Sequence, residues 1–182
     1  MKSIKRALSL CAVPLLLAAC SGGGGGGGPG NGGVPPTQTA QVSFAVAPVT
    51  GQTPAAPVQA VELEVALPPG ATVATAPDGK KIDATALTPG AGMANPAAVV
   101  SGTVANGVVK IGAATPDKAA IPAGGLQVAT MTVTAPNANT LTAADFPTTV
   151  VQAAGHDVAT ATTRDVTAAV APAVDVKHTG VP

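Results

Sequence analysis

Tryptophan and tyrosine are absent from this chain of 182 residues, and Phe44 and Phe146 are its only phenylalanines. Sugar recognition by ring stacking lays a Trp or Tyr face over a pyranose, so that mode is excluded and only a polar cleft stays open for glycans. Charge is scarce as well: nine basic and nine acidic residues cancel. So few cations cannot assemble the basic patch that a nucleic-acid backbone requires. Low charge beside abundant Val, Ala and Thr is also the opposite of a disordered composition. Cysteine occurs twice, as Cys11 and Cys20, and histidine twice, as His156 and His178. Those residues are too few and too scattered for a zinc site.

What is present begins with an address. Residues 1–6 hold Lys2, Lys5 and Arg6, and residues 7–19 form an almost unbroken apolar run. The run is shorter than the roughly 20 residues a membrane-spanning helix needs, so it reads as the hydrophobic region of a secretory signal. It ends in Leu17-Ala18-Ala19-Cys20, which resembles the lipobox of bacterial lipoproteins. The resemblance implies cleavage between Ala19 and Cys20, a diacylglycerol on the Cys20 thiol and a third acyl chain on its amine. At about 0.8 kcal/mol per buried methylene, several chains make a durable membrane anchor. Ser21 stands where an Asp would imply retention at the inner membrane, so the expected location is the outer membrane. Loss of the signal removes Cys11, which leaves no internal disulfide. It also removes three cations, which leaves the processed chain mildly acidic.

Residues 22–33 are glycine apart from Pro29 and Asn31. With no side chains to bury and maximal backbone entropy, they are expected to form a flexible tether. A phosphate-binding loop would need a preceding strand and a following Gly-Lys-Ser/Thr, and neither is there. The expected organisation is a signal peptide at 1–19, lipidated Cys20 and tether at 20–40, one domain at 41–177 and a short tail at 178–182. The domain is long enough for a real core.

Within it the pattern is strand after strand. Segment 41–47 is one. Segment 58–67 is the clearest, with Val61, Leu63, Val65 and Leu67 on one side and Glu62 and Glu64 on the other, the alternation of a half-buried strand. Segments 99–105 and 108–113 flank Asn106-Gly107, a pair that favours the type I′ hairpin turn. Segment 126–134 shifts its apolar phase between Val128 and Ala129, which predicts a bulge or burial on both faces. Segments 146–152 and 166–176 complete the set, the last interrupted by Pro172. One helical turn is expected at 142–145, capped by Thr142 or Thr140. Eighteen prolines and the Val/Thr-rich runs argue against helices elsewhere. Short strands with Pro/Gly turns and no crossover helices imply an all-β antiparallel sandwich. Its core would be thin and Ala-rich, so Phe44, Leu63 and Phe146 would matter disproportionately.

Segments 58–73, 106–136 and 141–160 resemble three successive blocks of cohesin modules. These are a strand ending in Leu67-Pro68-Pro69-Gly70, a hairpin arm and loop leading into Gly125 to Val133, and Asp145-Phe146. The resemblance implies a nine-stranded jelly-roll sandwich, related in fold to carbohydrate-binding modules. It also implies protein–protein binding through one sheet face to a dockerin-like partner.

Candidate chemistry is sparse. His156-Asp157 joins an imidazole to a carboxylate, but neighbours in a strand point to opposite faces and Gly155 suggests a turn, so a solvated loop is expected. His178 is expected to be exposed near the C-terminus. Glu62 and Glu64 share a strand face, as paired-carboxylate catalysis would require, and read as its solvent side. Asp78, Asp83, Asp117, Asp145, Asp157, Asp165 and Asp175 could converge on calcium, although no Asp-x-Asp-x-Asp-Gly loop exists. Asp78-Gly79 more simply makes a turn. No cofactor is expected. The expected function is a non-catalytic, lipid-anchored cohesin-like module for protein–protein binding. The competing readings are recognition of an envelope polysaccharide and a structural protein whose sheet edge pairs with copies of itself.

Overall fold

A computed structural model describes residues 38–119, 121–122, 125–157 and 159–179. The expected signal, Cys20 with its anchor, the tether through residue 37 and residues 180–182 lie outside the described residues. The described residues belong to one compact unit.

Nine strands carry the domain: β1 Gln38–Pro48, β2 Val58–Ala66, β3 Leu87–Pro89, β4 Val99–Ala105, β5 Val108–Ala119, β6 Leu126–Ala135, β7 Thr148–Asp157, β8 Thr162–Asp165 and β9 Val170–Thr179. They form a four-stranded sheet ordered β3-β6-β1-β9 and a five-stranded sheet ordered β4-β5-β2-β7-β8, antiparallel throughout. The two sheets pack face to face as a β-sandwich, with no α-helix among the described residues. No helix there is long and apolar enough to cross a membrane.

Alternation drives the packing. In β2, Val61, Leu63 and Val65 are buried while Glu62 and Glu64 face out. In β1, Val42, Phe44 and Val46 are fully buried between Ser43 and Ala45. Phe44, Leu63 and Phe146 are all buried, with Met93, Ile111 and Met131 filling the remaining core volume.

The Asn106-Gly107 hairpin joins β4 to β5 with φ of 53° and 75°, both left-handed as a type I′ turn demands. In β6, Phe44 pairs with Ala129 and Ala45 with Gln127, so Val128 is the extra residue of a bulge. That bulge turns Val128 and Ala129 both inward, which is the phase shift seen in the sequence. The turn at 142–145 is a short 3₁₀ segment, Ala143–Asp145, where the Asp145 carboxylate accepts from the Thr142 N–H at 2.7 Å and hydroxyl at 2.9 Å.

Several boundaries differ from expectation. The sandwich starts at Gln38 and runs to Thr179, wider than 41–177, because β1 and β9 pair along their whole length. Segment 166–176 is not one strand. Val166 caps a 3₁₀ turn at Thr167–Ala169, and β9 then passes through Pro172 to Thr179. β7 begins at Thr148 rather than Phe146, which is anchored inside the core.

Candidate functional site

The outer face of the five-stranded sheet is built from the positions that alternate away from the core. Strand register sets Val99, Ala114, Ala60 and Ala154 in one row across β4, β5, β2 and β7. The adjacent row is Ser101, Gly112, Glu62 and Gln152. Because glycine and alanine supply most of the floor, the sheet is recessed there. A hollow of about 420 Å³ lies over Ala60, Gly112, Ala114 and Ala154, with Glu62, Ser101 and Gln152 at its polar side. A second hollow of about 580 Å³ continues past Ser101 and Gly112 toward Lys81, Thr103 and Lys110. Glu62 borders both.

Exposed Val99 lines this trough, and a second exposed apolar residue, Val151, follows Val150 in β7 next to the lining residue Gln152. Val99 is 63% exposed, and Val151 is 47% exposed as the extra residue of a bulge in β7 between Gln152 and Val150. Glu64 is engaged by Lys110 at 3.6 Å across the β2–β5 pair. Glu62 makes no ion pair among the described residues. The two glutamates do share the solvent side of β2, and Glu64 is paired with a lysine while Glu62 borders the hollows.

His156-Asp157 is not in a loop. Both are half-buried at the end of β7, and Gly155 is buried within the strand, where its smallness admits the Ala56-Pro57 backbone and the turn falls later. The His156 N–H donates to the Pro57 carbonyl at 3.0 Å. Asp157 accepts from Arg164 Nη2 at 2.6 Å and from the Ala159 and Thr160 N–H groups at 2.9 and 3.3 Å. Its carboxylate is held below the usual range, chiefly by hydrogen bonding to Thr160. His178 lies exposed in β9, with Nδ1 3.0 Å from the Ala138 carbonyl oxygen. The ring of His178 is thus engaged by the backbone, whereas His156 is tied down through its main-chain N–H.

The aspartates do not converge either. Asp78, Asp83, Asp145, Asp157 and Asp165 each serve their own turn, and the resulting hydrogen bonds hold those five pKa values below the ordinary carboxylate value. Asp78 accepts from the Lys80 and Lys81 N–H groups, both at 2.9 Å. Asp83 accepts from the hydroxyl and N–H of Thr85, and Asp165 from those of Thr167. Asp145 is held by Thr142, and Asp175 faces outward on β9. The Asp117 side chain lies outside the described set. No group of three or more His, Cys, Asp or Glu is placed to hold a metal among the described residues.

The trough was missed from sequence because its floor is drawn from four strands far apart in the chain. The only sequence signal was small residues, Ala60, Gly112, Ala114 and Ala154, at outward positions. No family model, curated protein or solved structure matches this chain.

Proposed function

We propose that the chain is a non-catalytic binding module, held at the outer membrane by acyl chains on Cys20, whose five-stranded sheet presents its outer face to another protein. In its finer architecture the sandwich is read as a cohesin-like jelly roll. The chain's repeated crossing supports this: β1, β3, β6 and β9 lie in one sheet and β2, β4, β5, β7 and β8 in the other. The observation that carries the binding reading is the recessed, small-residue trough lined by exposed Val99 and edged by Glu62. A flat sheet covered by long polar side chains would offer no such seat. Apolar rims with a few fixed polar groups are what a protein contact uses to exclude water and set orientation.

The test is capture on immobilised residues 34–182, beside the same protein carrying Ala60→Arg, which fills the trough floor. A saturable protein partner retained by the parent and lost by Ala60→Arg supports the reading. Equal retention by both overturns the assignment of this face. Retention of polysaccharide without protein replaces the proposal with glycan recognition in a polar cleft.

A further inference from the structure

Among the described strands, one sheet margin stands apart. β3 is three residues long and ends in Pro89, and β8 is four exposed residues. β4 is overlaid by the preceding segment, with the Ile82 N–H donating to Gly102 at 2.9 Å and the Val104 N–H to Lys80 at 2.8 Å. β9 is ten residues long, is bonded on one side to β1, and ends the four-stranded sheet.

Register tells which of its groups face outward. The Val49 N–H donates to the Ala169 carbonyl at 3.0 Å, just before β9 begins. Antiparallel pairs alternate between bonded and non-bonded, so Ala171, Ala173, Asp175 and Lys177 exchange bonds with β1. Pro172, Val174, Val176 and His178 therefore turn their backbone groups to the open edge. Pro172 sits where its missing N–H costs the β1 ladder nothing. Asp175 and Lys177 are both exposed, two residues apart, on the outer face of the sheet.

We propose that this edge pairs with the same edge of a second copy, antiparallel about a two-fold axis at Val176. In that register Val176 meets its own equivalent and Val174 meets His178 of the second copy. Asp175 then lies opposite Lys177 of the second copy, twice by symmetry, at non-hydrogen-bonded positions where side chains approach most closely. Sliding the axis to Val174 sets Pro172 against Val176, which removes a donor, and leaves both charges opposite alanines. Sliding it to His178 sets Lys177 against Thr179 and carries Asp175 beyond the strand. Charge complementarity and the proline thus select one register. The ladder supplies roughly six main-chain hydrogen bonds, a contact below the size of an obligate interface, so it forms reversibly at high local concentration. It merges two four-stranded sheets into one and leaves the outer face of the five-stranded sheet uncovered.

Sedimentation of the full chain carrying Cys20→Ala, from low micromolar to millimolar concentration, tests this. The expected result is a reversible monomer–dimer equilibrium that weakens with added salt. Lys177→Glu alone and Asp175→Lys alone each set like charges opposite one another and weaken association by about tenfold or more. An equimolar mixture of those two variants dimerises again, because the introduced lysine of one copy faces the introduced glutamate of the other. The double variant Asp175→Lys/Lys177→Asp associates as the parent does. A parent that stays monomeric at millimolar concentration overturns the proposal. So does a dimer indifferent to both single variants, or a mixture that stays monomeric.

Discussion

Arg164 Nη2 donates to Asp157 Oδ2 across 2.6 Å, tying β8 to the last residue of β7. The same carboxylate closes the intervening turn through Ala159 and Thr160, so one side chain holds the edge hairpin at two points. Asp157→Ala is expected to speed amide hydrogen exchange at 162–165 while protection in β2 and β5 stays unchanged, since edge elements open separately from the core. Asp157→Asn, which keeps an acceptor for the turn, falls between the two. Uniform acceleration across all strands would contradict this.

Acid sensitivity follows from the turn aspartates. Asp78, Asp83, Asp145, Asp157 and Asp165 all have depressed pKa values in the folded chain. A depressed folded pKa means the unfolded chain binds protons more readily, so the stabilisation is complete above the unfolded value. It is lost as pH falls through the folded value. Denaturant midpoints are expected to hold steady from neutrality to about pH 5 and to fall below about pH 4. Asp83→Asn should flatten part of that acid limb. An unchanged limb would exclude the Thr85 bonds as a contributor.

Phe146 is 1% exposed at the entry to β7 and is one of the two largest core side chains. In a core otherwise made of Val, Ala and a few Leu, Ile and Met, its removal leaves a cavity the neighbours cannot fill. Phe146→Ala is expected to cost about 3–5 kcal/mol in denaturant melts. A loss under about 1 kcal/mol would mean the site collapses around the gap.

Two glycines of the five-stranded sheet, on the strands that flank β2, should respond differently to the same change. A Cβ on Gly155 would sit 2.8 Å from the Pro57 carbonyl oxygen and 3.0 Å from the Ala56 Cβ, against backbone that cannot swing away. Gly155→Ala is therefore expected to cost about 1–3 kcal/mol. A Cβ on Gly112 meets Ser101 Oγ at 3.6 Å, an ordinary contact. Gly112→Ala is expected to change stability by less than about 0.5 kcal/mol. Thermal or denaturant melts of the pair decide it, and equal losses would refute the packing argument.

Features encoded within a few residues were legible in the sequence. Asn106-Gly107 fixes its own turn, the Val128/Ala129 phase shift marks its bulge, and Thr142 with Asp145 closes a local turn. β3 and β8 were not legible, because three or four residues without apolar alternation acquire strand geometry only from the partner beside them. Gly155 misled for a related reason: glycine signals a turn and a close backbone approach equally well, and only the Ala56-Pro57 segment folded against β7 separates them. The trough depends on register between strands, which no single segment carries.

Phe44 and Phe146, the chain's only benzene rings, are both sealed inside the sandwich. Every near-ultraviolet aromatic signal of this protein therefore originates in the core and none on its surface. Loosened packing dims that signal, whereas a partner seated on either sheet leaves it in place. The chain thus carries two internal chromophores that separate a variant that has lost its fold from one that has lost only its partner.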